Sequence, residues 1–123
     1  FEARSAAPHE FVLALDWDET TGDYPLAFAR LASHYPKVLI VTVNDELTQA
    51  FAAQVLGVDA EKVAVHCCPD EALDDVPQWK ANVCLRERVH LMFDDNEQVV
   101  QACHALGVAA ICVRERTDKF ERN

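Results

Sequence analysis

Residues 11–20, FVLALDWDET, decide how the rest of the chain is read. Phe11–Leu15 is an apolar run bounded by charge, the pattern of a buried strand. It stops at Asp16, Asp18 and Thr20, which therefore stand at the carboxyl end of that strand. Four more apolar runs follow, at Lys37–Val43, Lys62–His66, Val89–Phe93 and Val108–Val113. They are continuous rather than alternating, as strands are when helices cover both faces of their sheet.

Helical patterns lie between the strands. Tyr24–Tyr35 has Asp23 as N-cap and Pro25 in its first turn, and Asp45–Leu56 is capped by Asn44 or Asp45 and stopped by Gly57. Gln78–Arg88 and Asn96–Leu106 complete the set, the latter stopped by Gly107. Asp16–Asp23 and the acidic Pro69–Val76 read as loops. The alternating order predicts an α/β fold: a three-layer α/β/α sandwich around a five-stranded parallel, Rossmann-like sheet with right-handed crossovers. In such sheets ligands bind beyond the carboxyl ends of the strands, where the strand order switches.

The 123 residues suffice for one domain. Residues 1–10 read as a flexible N-terminal segment, 11–113 as the core and 114–123 as a charged tail. No apolar run approaches the roughly 20 residues of a membrane helix. Five cysteines lack any CxxC or Cys/His zinc spacing and read as reduced thiols, which points to the cytoplasm. The net charge of −10 opposes a polyanion along most of the surface.

The first polar residues after each strand converge. Asp16 and Asp18 follow the first, Thr42 closes the second, Asp94 and Asp95 follow the fourth, and Lys80 opens the helix before the fourth. Any one of these alone reads as a helix cap or a solvated group. Together, four carboxylates on one sheet edge repel one another and call for a divalent cation, and all-oxygen ligands suit Mg²⁺. Thr42 and Lys80 would supply a hydroxyl and a point charge to phosphoryl oxygens. Metal, clamp and nucleophile are the equipment of phosphoryl transfer.

The order Asp16-Trp17-Asp18-Glu19-Thr20, Thr42, Lys80, Asp94-Asp95 resembles the four motifs of the haloacid dehalogenase (HAD) superfamily of phosphohydrolases over about residues 11–113. The resemblance implies a Mg²⁺-dependent phosphatase in which Asp16 attacks phosphorus and Asp18 is general acid and base. It implies phosphate binding by Thr42 and Lys80. The metal would be held by Asp16, the Asp18 carbonyl and Asp94, with Asp95 as ligand or support. Where many members have Gly after the second aspartate, this chain has Glu19. There is no room for a cap domain, so a second copy of the chain or a macromolecular substrate is expected to shield the site.

Residues 74–113 also resemble the phosphatase domain of phage-type polynucleotide kinases, which implies a 3′-phosphate end of a nucleic acid as substrate. The acidic balance and the interleaved charges of the tail oppose that reading and favour a phosphorylated small molecule. A receiver domain of two-component signalling fails on order, because its phosphoacceptor follows the third strand, where this chain has His66-Cys67-Cys68. A catalytically silent HAD-like binding module is the other rival, and every filled catalytic station weighs against it. Trp17 reads as a packing residue or a wall of the substrate mouth, and Trp79 as a core anchor.

Overall fold

The computed structural model describes residues 10–114. The segment expected over 1–10 and the tail over 114–123 thus lie almost wholly outside the described residues. The strands are β1 (Val12–Leu15), β2 (Lys37–Thr42), β3 (Val63–Cys67), β4 (Leu91–Asp94) and β5 (Ala110–Cys112). The α-helices are α1 (Pro25–Ala32), α2 (Gln49–Leu56), α3 (Val76–Arg86) and α4 (Glu97–Ala105). Every strand pairing is parallel, and the order across the sheet is β3-β2-β1-β4-β5.

Side chains alternate across each strand, so neighbouring apolar residues feed opposite cores. Leu13 and Leu15 of β1, with Val38 and Ile40 of β2, pack against Phe28 and Ala32 of α1 and Ala52 and Leu56 of α2. Val12 and Ala14, with Leu39 and Val41, pack against Ala81 and Cys84 of α3 and Val99 and Cys103 of α4. Both faces are therefore dry, which is why the runs are continuous in the sequence. No helix among the described residues is long and apolar enough to cross a membrane.

Element ends correct several expectations, each for a hydrogen-bonding reason. The second helix does not start at Asp45. The Asn44 side chain instead accepts from the Glu46 N–H, and Thr48 caps α2 by accepting from the Phe51 N–H at 3.1 Å. Asp23 does not cap α1; Tyr24 occupies that position without a side-chain bond, and Pro25 supplies the preset φ. The third helix starts at Val76, earlier than Gln78, because Asp75 accepts from the Gln78 N–H. The acidic loop after Pro69 is a 3₁₀ segment over Asp70–Asp75. Gly57 and Gly107 close α2 and α4 at φ 67° and 78°, the left-handed region where glycine carries no penalty.

Candidate active site at the carboxyl edge of the sheet

The chain leaves β1 toward β2 and β3, then returns to the opposite side of β1 for β4 and β5. The switch in strand order therefore falls between β1 and β4. Leu15 lies beside Phe93, and the Asp16 N–H donates to the Phe93 carbonyl at 2.9 Å. Asp16 and Asp94 thus leave adjacent strands at the same level. Local bonds fix both: Asp94 Oδ1 accepts from the Asn96 N–H at 2.9 Å, and the Thr21 hydroxyl donates to the Asp16 carbonyl at 2.8 Å.

Lys80 is not the opening residue of its helix. It sits in the second turn of α3, which carries its side chain over the sheet edge. Its ammonium donates to Asp16 Oδ1 at 2.7 Å and to Asp94 Oδ2 at 2.8 Å, and all three side chains are buried. Thr20, fully buried, places its hydroxyl 3.1 Å from Asp16 Oδ2 and 3.4 Å from Asp95 Oδ1. One oxygen from each of Asp16, Asp94 and Asp95 lies within 4.8 Å of the others. Three hard oxygen donors at that spacing fit a divalent cation of the Mg²⁺ type.

The charges are unbalanced, since three carboxylates face one ammonium. Burial pushes the Asp16 carboxyl up to about 7, with Asp94 adding to the rise and Lys80 opposing it. Burial also raises Asp94 above the usual carboxylate range, against Lys80 and the Asn96 N–H. For Lys80, burial acts downward, but Asp16 and Asp94 outweigh it and hold the ammonium above its ordinary value. Burial acts upward on Asp95, yet hydrogen bonding with Asp16, Glu19 and Thr20 leaves it below its ordinary value. A proton on Asp16 therefore relieves the cluster, and a divalent cation would do so more completely.

This gives a pH-dependent expectation. A raised carboxylate binds its proton more tightly when folded, so the Asp16 contribution to stability falls as pH rises from about 4 to about 7 and is level above that. Mg²⁺ competes with that proton. Its stabilisation, read as a rise in Tm, is therefore expected to be larger at about pH 8 than at about pH 6. A Mg²⁺ shift that is absent at both values, or larger at the lower one, would contradict a cation site at these carboxylates.

The other expected residues fall into two groups. Thr42 is fully buried at the end of β2, and its hydroxyl accepts from the Asn44 N–H at 3.0 Å, leaving its own proton to donate. Asp18 is exposed, and its carboxylate is not among the three metal-compatible groups. Trp17 is a packing residue, buried on the α1–α2 face and edge-on to Phe51 at 6.4 Å. Trp79 packs partly buried against the α3–α4 core. Cys68, Cys84 and Cys103 are buried free thiols, whereas Cys67 is exposed.

The turn that presents Asp16 and Asp18 carries a local conflict. Glu19 has φ 62° and ψ 6°, a conformation costly to a residue with a Cβ. Its carboxyl is raised by hydrogen bonding to Asp95 and by the charge of Asp95. Glu19→Gly is expected to stabilise the protein, read as a higher urea midpoint at unchanged slope. A lower midpoint would show that the Glu19 side chain contributes more than its backbone costs. Thr20, Thr21 and Glu19 are thus site residues in their own right. Thr20 had a signal in the sequence, as the last letter of the Asp-x-Asp-x-Thr string, and Glu19 stood out where many members of the resembling family have Gly; Thr21 had none.

No protein-family model matches the chain, and no curated protein matches it.

Proposed function

We propose that this protein is a Mg²⁺-dependent phosphohydrolase of the haloacid dehalogenase type, without a cap domain, that cleaves a phosphomonoester through an aspartyl-phosphate. The observation that carries this reading is the buried Asp16–Lys80–Asp94 cluster at the switch between β1 and β4. Such a cluster is expensive to bury for structural reasons alone, because burial penalises each charge and the carboxylates outnumber the ammonium. Crowding of this kind at the ligand-binding edge of a parallel sheet supports a reaction centre.

The arrangement supports these roles. Asp16 Oδ1 and Oδ2 are held by Lys80 and Thr20, so the carboxylate is oriented before substrate arrives. Asp16 attacks phosphorus, the bond to the leaving oxygen breaks, and Asp18 gives that oxygen a proton. Asp18 then takes a proton from the water that attacks the aspartyl-phosphate, releasing phosphate and regenerating Asp16. The exposure of Asp18 suits this part, since an exposed carboxylate is open to substrate and water. Lys80 and the Thr42 hydroxyl bind the phosphoryl oxygens, Lys80 exchanging one carboxylate contact for a phosphate contact. Asp16, Asp94 and Asp95 would hold Mg²⁺, with the Asp18 carbonyl completing the protein ligands. When bound, the cation neutralises the charge that develops on the transferring phosphoryl group.

An aryl phosphate assay tests the reading. Hydrolysis is expected with Mg²⁺ and is expected to vanish in EDTA. No metal-dependent turnover at high protein concentration would favour a silent binding module.

A further inference from the structure

β1 ends at Leu15, and Asp16 is the first residue beyond it. The Asp16 N–H still finds a partner in the sheet, the Phe93 carbonyl. The Asp16 carbonyl does not. Among the described residues, both of its donors belong to Thr21, five positions on: the backbone N–H at 3.4 Å and the hydroxyl at 2.8 Å. The first is longer than amide donors usually make, and the second has the usual length for a hydroxyl. The shape of the turn explains the long backbone bond. Asp18 (φ −67°, ψ 132°) and Glu19 (φ 62°, ψ 6°) leave helical geometry, so no regular ladder serves the carbonyl at its start. Asp16 and Thr21 are both buried, so the hydroxyl also answers a carbonyl that would be costly to leave unpaired.

The bond reaches beyond the turn. The direction of the Asp16 carbonyl defines its ψ, which is 157°. That angle sets the path by which the chain arrives at Asp18. One peptide plane therefore governs how the attacking carboxylate and the general acid stand relative to each other, and reaction rates are sensitive to such placement. Lys80 and Thr20 hold the tip of the Asp16 side chain, and Thr21 holds its backbone. Thr21 is fully buried, so it acts through Asp16 and not on substrate.

Resting on the phosphohydrolase reading, we propose that Thr21 is a positioning residue, whose hydroxyl on the Asp16 carbonyl sets the spacing between nucleophile and general acid.

Thr21→Val and Thr21→Ser test this together. Valine keeps the branched shape and removes the donor; serine keeps the donor and removes a methyl group. With Mg²⁺ and an aryl phosphate, Thr21→Val is expected to lower kcat by roughly 10–100-fold at little changed KM, and Thr21→Ser to recover most of it. A second readout needs neither metal nor turnover. Accepting a hydrogen bond moves a carbonyl carbon downfield, so the Asp16 carbonyl resonance should move upfield in Thr21→Val and return in Thr21→Ser. If Thr21→Val does not fold, Thr21→Cys, a weaker donor, should show a smaller loss and a smaller upfield move. An unchanged kcat or resonance in the donor-deficient variant, a loss confined to KM, or an equal loss in Thr21→Ser would overturn the inference. Hydrolysis indifferent to the Thr21 hydroxyl overturns this inference alone, and no metal-dependent hydrolysis by the unaltered protein overturns both readings.

Discussion

Asp16→Asn is expected to lower the rate of phosphomonoester hydrolysis by at least about 10⁴-fold, because it removes the proposed nucleophile and not a contributor to binding. An amide is nearly the same size and still accepts a hydrogen bond from Lys80 or Thr20, so the fold should survive. Asp18→Asn offers the contrast. It leaves the nucleophile in place and removes general acid and base assistance, a loss of about 10²–10⁴-fold. Hydrolysis of the aspartyl-phosphate should then limit the rate, and phosphoenzyme should accumulate. Near-normal turnover by Asp16→Asn would show that another group attacks phosphorus.

The second large effect is on stability and requires no substrate. Lys80→Met is expected to cost about 3–5 kcal/mol, because Asp16 and Asp94 stay buried with their counter-charge gone. The deficit should shrink on acidification, since Asp16 already holds its proton up to about 7 with Lys80 present, and loss of the lysine raises it further. Mg²⁺ should recover part of the loss by supplying the missing positive charge. Urea unfolding at several pH values reads this directly. A deficit below about 1 kcal/mol that is constant with pH would mean that the buried carboxylates carry no charge for Lys80 to balance.

The sheet was legible because its strands are dry on both faces. Leu13 and Leu15 face one core while Val12 and Ala14 face the other, so no polar residue interrupts the run. The switch point was legible only by inference, from polar residues following β1 and β4. Helix starts were less legible, because several Asp, Asn and Thr residues compete to cap. Around α2 the nearest candidates, Asn44 and Asp45, were passed over when Asn44 closed its own turn and Thr48 capped instead. Asp16, Lys80, Asp94 and Asp95 meet as their order suggested, although Lys80 arrives from the second turn of its helix. Three features left little or no trace in composition or spacing. The left-handed φ of Glu19 depends on the shape of the turn after β1. The Thr21 bond to the Asp16 carbonyl depends on the same turn. An open surface cavity lined by Tyr24, Val113 and Arg114 brings together residues about ninety apart in the chain.

On the proposed mechanism, Asp16 carries the phosphoryl group between substrate and water. Mass analysis of peptides from protein quenched in acid during turnover of a phosphomonoester with Mg²⁺ tests it most directly. One phosphoryl increment is expected on the peptide containing Asp16, removed by EDTA, absent in Asp16→Asn and increased in Asp18→Asn. Steady turnover with the increment on another peptide, or with none in the Asp18→Asn protein, would contradict it.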